Sequence, residues 1–231
     1  MSSELELAAC TPHPISPDGF NPMAVLPFGL TTEHIHQAMN DFVRLIRVAN
    51  VQLHGEGIQR LETILAPANF SGMVGDFMAA TIPNYCAGLA RNMYHNGHPD
   101  MIPRGRFPDD SVQYAHEGIE IKASRYVAGW QGHNPENAWL MVFVFESNRP
   151  TDALKGIMPK PFEFQLVVGA QITEEDWRFA KRGEGSRRTP TAGVLRTGRE
   201  KMMANWIYKA SDLTRTEETM TLAVRPPSES E

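Results

Sequence analysis

Residues 119–145 read IEIKASRYVAGWQGHNPENAWLMVFVF, and the patterns at the two ends of this stretch decide the fold class. From Ile119 to Ala123 apolar and polar side chains alternate. In a strand, residues i and i+2 point the same way. Ile119, Ile121 and Ala123 therefore share a face that needs a core, while Glu120 and Lys122 share the other face, left for a surface or cleft. From 138 to 145, 8 residues are apolar without a break. Such a run fits a central strand covered on both faces. It is also the longest apolar run, far short of the roughly 20 residues that span a bilayer, so no membrane partner is expected.

Upstream, Thr31-Thr32-Glu33 suits a helix start, and Ile35, Met39, Phe42, Ile46, Ala49 and Leu53 follow at helical spacing. The pattern predicts a second short helix over 58–65 stopped at Pro67, a third over 71–82, and a fourth over 83–94. Downstream, 162–172 reads as another strand. Thr173-Glu174-Glu175-Asp176 resembles a helix N-terminus, where acidic side chains suit the dipole, and 202–208 fits either helix or strand. Residues 1–30, with five prolines, read as an extended arm or tail, and 226–231 as a disordered tail. Helices, a hairpin, a buried strand and further mixed elements predict an α/β fold: a central mixed β-sheet flanked by helices, with an N-terminal helical region. The length suits a single domain over 31–225.

Composition narrows the setting. The formal net charge is −5, so the whole chain gives no hint of a nucleic-acid partner. Cys10 and Cys86 stand alone, without the paired spacing of a cysteine zinc site, and so few cysteines fit a reducing cytosol. The first residues, MSSELEL, lack the basic and apolar regions of a signal peptide, and a cytoplasmic protein is expected.

The chemistry concentrates in 97–124, GHPDMIPRGRFPDDSVQYAHEGIEIKAS. Pro99-Asp100 is followed after 19 residues by Glu120-Ile121-Lys122, the only E/D-x-K triplet in the chain. Two carboxylates, Asp100 and Glu120, suit a hard divalent cation such as Mg²⁺ (or Mn²⁺). The Ile121 carbonyl, between the two polar side chains, is a further candidate ligand. Such an ion polarises a phosphodiester and acidifies a bound water, and a lysine beside it orients or helps deprotonate that water and offsets developing negative charge.

Pro99, Asp100, Glu120, Ile121 and Lys122 resemble the motif of the PD-(D/E)XK nuclease superfamily, which includes many type II restriction endonucleases. The resemblance covers roughly 70–172, with 138–145 similar to the family's next core strand. It implies a restriction-endonuclease-like fold, catalysis by Asp100, Glu120 and Lys122, and a further acid from the preceding helix, for which Asp76 is the nearest candidate. Pro108-Asp109 also fits the motif, with 10 intervening residues, but lies in a polar stretch more like a loop. Glu146 is a second acid whose place is left open. His98, directly before Pro99, has two open readings, a supporting residue or an ordinary loop histidine.

A basic segment follows the core. From 178 to 209 there are nine Lys/Arg against two Glu, a net of +7, leaving −12 on the other residues (−5 minus +7). Lys181, Arg182, Arg187, Arg188, Arg196 and Arg199 are the candidate contacts to double-stranded DNA, held through its phosphates. Cutting both strands needs two active sites, so a homodimer on a palindromic site is expected. Three rivals stay open: a repair or junction-resolving nuclease of the same superfamily, a non-catalytic DNA-binding module, and an unrelated enzyme with a chance motif. His133-Asn134 suggests an HNH-like nuclease but lacks the strand-to-helix context. Trp130, Trp139, Trp177 and Trp206 read as packing residues.

Overall fold

The computed structural model describes residues 3–132, 135, 137–180 and 191–211. The helices are α1 (Ser3–Ala9), α2 (Thr32–Gly55), α3 (Leu61–Ile64), α4 (Pro67–Tyr85) and α5 (Arg196–Ala204). The strands are β1 (Leu89–Arg91), β2 (Met101–Pro103), β3 (Ile119–Ser124), β4 (Gln131–Gly132), β5 (Ala138–Glu146), β6 (Glu163–Ile172), β7 (Trp177–Ala180), β8 (Thr191–Val194) and β9 (Trp206–Lys209).

Six strands form a mixed sheet in the order β1-β2-β3-β5-β6-β9. Among these pairings β3 with β5 is parallel and the rest are antiparallel. The architecture is therefore α/β with a central mixed sheet flanked by helices. Every residue of β5 except Glu146 is buried. Trp139, Met141, Phe143 and Phe145 face one core with Ile119 and Ile121 of β3, Phe42 and Ile46 of α2, and Phe70, Val74 and Met78 of α4. Leu140, Val142 and Val144 face a second core with Trp130, Trp177 and Met202, roofed by α5 and the small sheet β4-β8-β7. This double cover is why the run shows no polar alternation.

α2 begins where the sequence places it. The Thr31 side chain accepts from the His34 amide at 3.3 Å, and His34 Nδ1 accepts from the Thr31 amide at 3.2 Å. This reciprocal capping satisfies amides that the first turn leaves without partners.

Several expectations are corrected. The second expected helix is α3, shortened to Leu61–Ile64 and ended ahead of Pro67; Pro67 itself opens α4, because its fixed φ and missing N–H suit the first helical turn. The third and fourth predicted helices collapse into α4, which contains Pro83 in its last turn and ends at Tyr85. Residues Leu89–Arg91, expected to be helical, form β1, pairing Leu89 with Pro103. After Thr173 only one 3-10 turn forms (Glu174–Asp176) before β7 begins. Residues 202–208 contain both alternatives, the end of α5 and then β9.

The expected N-terminal arm lies against the domain. The His13 amide donates to Phe162 O at 2.9 Å and the Asn21 amide to Ile207 O at 3.0 Å, so part of the segment lines the β9 edge. Ala9, Cys10 and Ile15 are buried. Arg60 anchors the region from within: its guanidinium donates to Glu6 Oε2, Glu62 Oε1 and Asn148 Oδ1 at 3.0, 2.6 and 2.8 Å. A buried charge needs such partners to offset its lost hydration. The tail 226–231 lies outside the described residues.

Candidate active site

The site forms where β2 leaves β3. The two strands share one pair, Met101 with Ile119. Running back along β2 from Met101 moves forward along β3, so Asp100 comes opposite Glu120 while the backbones separate. The Asp100 carboxylate fills the gap, accepting the Ile121 amide on Oδ2 at 2.8 Å. The N–H and C=O of one strand residue point to the same edge. The Ile121 carbonyl thus opens toward the side that β2 has vacated, while its side chain stays in the core.

Glu120 and Lys122 project from the β3 face opposite Ile119 and Ile121, as the alternation requires. Lys122 Nζ contacts Glu120 Oε1, and His98 Nδ1 stands 3.0 Å from Glu120 Oε2. The Glu120 and His98 side chains are 11% and 13% exposed, so the acid is removed from water and depends on these two partners.

Their charges respond to that burial. Desolvation, and then the negative charge of Glu120, push the Asp100 carboxyl up to about 7 against the pull of Lys122 and the Ile121 amide. Burial also works against charge on Glu120, but the His98 hydrogen bond and the Lys122 charge outweigh it and hold that carboxyl down at about 2. Two neighbouring acids driven apart in this way carry a single negative charge between them in mildly acidic solution, a pattern that clusters at functional sites.

Asp76 is exposed on α4 and lines the same cleft, which encloses about 840 Å³ with His98, Asp100, Tyr114, Glu120 and Lys122. A second cleft of about 520 Å³ adjoins it, sharing Asp76, Asp100 and Lys122 and running past Ser71, Gly72 and Thr191. The structure thus brings together Asp76, Asp100, Glu120, Ile121 and Lys122.

Other candidates stand elsewhere. Asp109 lies in an exposed 3-10 turn with φ of 53° and lines neither cleft. Glu146 faces a separate cleft, paired with Lys160 and accepting from Gln165 at 2.9 Å. Arg196 pairs with Glu200 at 2.7 Å, and Arg199 donates to Val127 O at 3.0 Å; both are on α5, outside the two clefts. Lys181, Arg182, Arg187, Arg188, His133 and Asn134 lie outside the described residues. Residues 181–190 connect Ala180 to Thr191, which are paired across β7 and β8, and Thr191 lines the smaller cleft.

Among the described residues no three His, Cys, Asp or Glu side chains are arranged to hold a metal ion. A Mg²⁺ site needs less from the protein: one or two carboxylates, with waters and substrate phosphate completing the shell. Asp100 and Glu120 are the two carboxylates that this cleft brings side by side.

Tyr114 is the residue that sequence reasoning missed. It reaches the cleft through an isolated bridge to His98, a long-range pairing without a local sequence signal. His98 was visible beside Pro99-Asp100, but its contact with Glu120 was not.

No family model, curated protein or solved structure matches this chain.

Proposed function

We propose that the chain is a Mg²⁺-dependent endonuclease hydrolysing phosphodiester bonds in double-stranded DNA, a PD-(D/E)XK nuclease most like the type II restriction endonucleases. Mn²⁺ is the alternative metal. One observation carries this reading: an acid from β3, an acid from the residue just before β2 and a lysine share one cleft, with one acid pushed up in pKa and its neighbour pulled down.

Asp100, Glu120 and the Ile121 carbonyl would hold the ion, with Asp76 able to assist from α4. When bound, the ion supplies Lewis acidity toward the scissile phosphate and lowers the pKa of a coordinated water. Lys122, in contact with Glu120, would donate to the attacking water and offset the charge that develops on the phosphate. Burial of Glu120 and Asp100 strengthens each of these interactions by lowering the local dielectric. Lys181, Arg182, Arg187 and Arg188 would hold the DNA through its phosphates.

We assign it to the cytoplasm, acting as a two-fold homodimer that cuts one strand per protomer. No helix among the described residues is long and apolar enough to cross a membrane.

The test is incubation with plasmid DNA, with Mg²⁺ and with EDTA. Metal-dependent conversion to discrete linear fragments supports a sequence-specific endonuclease. Cleavage of branched but not linear duplex redirects the reading to a junction-resolving enzyme of the same superfamily, and metal-independent binding without any cleavage overturns it.

A further inference from the structure

Glu120 has two carboxylate oxygens, and each has its own partner. Lys122, on the same strand, takes Oε1, and His98 meets Oε2 through Nδ1 at 3.0 Å. Strand geometry places Lys122 there automatically, since i and i+2 share a face. It does nothing for a loop histidine, which must be held from elsewhere.

Three sets of contacts hold it. Asn92, just beyond β1, is 9% exposed and fastens the loops on both sides. Its Oδ1 accepts the amides of Tyr94 and Val112, each at 3.1 Å, and its Nδ2 donates to Pro99 O and Val112 O at 3.0 and 2.8 Å. The His98 backbone is paired as well: its amide donates to Gln113 O at 3.0 Å, and its carbonyl accepts from Ala115 N at 2.8 Å. Finally, the ring lies against Tyr114, centroids 5.4 Å apart and planes 23° from parallel. Backbone pairing fixes where the side chain starts, and the stack fixes the ring plane. Together they aim Nδ1 at Glu120.

We propose that His98 is a positioning residue that holds Glu120 ready for a divalent cation, with Tyr114 as its backing. This rests on reading the cleft as a metal-dependent nuclease site. His98 acts through Glu120, since its Nδ1 is turned to Glu120 Oε2 at 3.0 Å. The physical gain is preorganisation. A carboxylate held by a hydrogen bond loses less freedom when it binds, and removing such outer partners costs about 10–100-fold in metal affinity.

Mn²⁺ binding by the full chain without DNA, followed by electron paramagnetic resonance, tests this without turnover. His98→Ala is expected to weaken binding about 10–100-fold. His98→Asn, whose amide nitrogen stands near the place of Nδ1, recovers most of the loss. Tyr114→Ala falls between these, and Tyr114→Phe matches the wild type. In cleavage, His98→Ala raises the Mg²⁺ needed for half-maximal rate more than it lowers the rate at saturating Mg²⁺. Wild-type binding by His98→Ala, or no recovery by a folded His98→Asn, overturns the proposal. If His98→Ala fails to fold, Tyr114→Ala decides, and unchanged binding there overturns it. A wild-type chain that binds Mn²⁺ and cuts DNA beside an indifferent His98→Ala refutes this inference alone. A wild-type chain that neither binds nor cuts takes the nuclease reading down with it.

Discussion

Asp100 carries an unusual thermodynamic load, because its carboxyl stands at about 7 in the fold against an ordinary value of 3.8. Below about pH 4 the group is protonated in both folded and unfolded chains and costs nothing. As pH rises toward 7 the unfolded chain releases the proton first, so stability falls; above 7 the loss is complete, on the order of a few kcal/mol. Glu120 works in the opposite sense. Its carboxyl is held at about 2, so its contribution is present above about 4.5 and is lost as pH falls toward 2. Asp100→Asn keeps an acceptor for the Ile121 amide and removes the charge. In EDTA this variant should melt several degrees above the wild type at pH 8 and close to it at pH 4. Thermal melts at the two pH values check this, and an equal shift at both would contradict the charge argument. Added Mg²⁺ should narrow the gap at pH 8 by stabilising only the wild type.

At the scale of elements, the candidate cleft depends on how closely β2 approaches the start of β3. Gly118 sets that approach. Its φ is +146°, and a Cβ there would meet Met101 O at 2.2 Å and Pro99 Cγ at 2.4 Å. Both contacts belong to the segment that carries Asp100. Gly118→Ala should therefore cost at least about 1–3 kcal/mol in stability and lower cleavage further by moving Asp100 off β3. Gly55→Ala, at the end of α2 with open space around it, is the control and should leave cleavage unchanged. Melts and cleavage rates of the two variants together check this. Legibility in the sequence follows the same physics. β3 and β5 were readable because a half-covered strand alternates and a doubly covered one does not. α2 was readable from its cap and its apolar spacing. β1 was not, because three residues hold too little pattern to compete with a proline misread as a helix start. The acids and the lysine of the site could be picked out as a motif, but the Ile121 amide bound by Asp100 and the Tyr114–His98 stack come from pairings 16 to 21 residues apart.

For the whole molecule, charge segregation matters more than net charge. The segment from 178 to 209 carries +7 in a chain of −5. A polyanion binding these charges releases counterions, so affinity should fall steeply with salt. Replacing Lys181, Arg182, Arg187 and Arg188 together by glutamine should weaken DNA binding. It should also flatten the salt dependence by about 0.9 in log–log slope for each phosphate that is no longer neutralised. Binding isotherms at several salt concentrations check this, and an unchanged slope would remove the segment from the DNA interface. These residues should affect binding, while Lys122 should affect chemistry. The most direct measurement is therefore the nicking rate of supercoiled plasmid at saturating Mg²⁺, wild type against Lys122→Ala, with both proteins shown by melting to be folded. The prediction is Mg²⁺-dependent nicking that falls about 10²–10⁴-fold in the variant while DNA affinity holds. Equal rates in the two proteins, or no nicking by the wild type, would contradict a phosphodiesterase centre built from Asp100, Glu120 and Lys122.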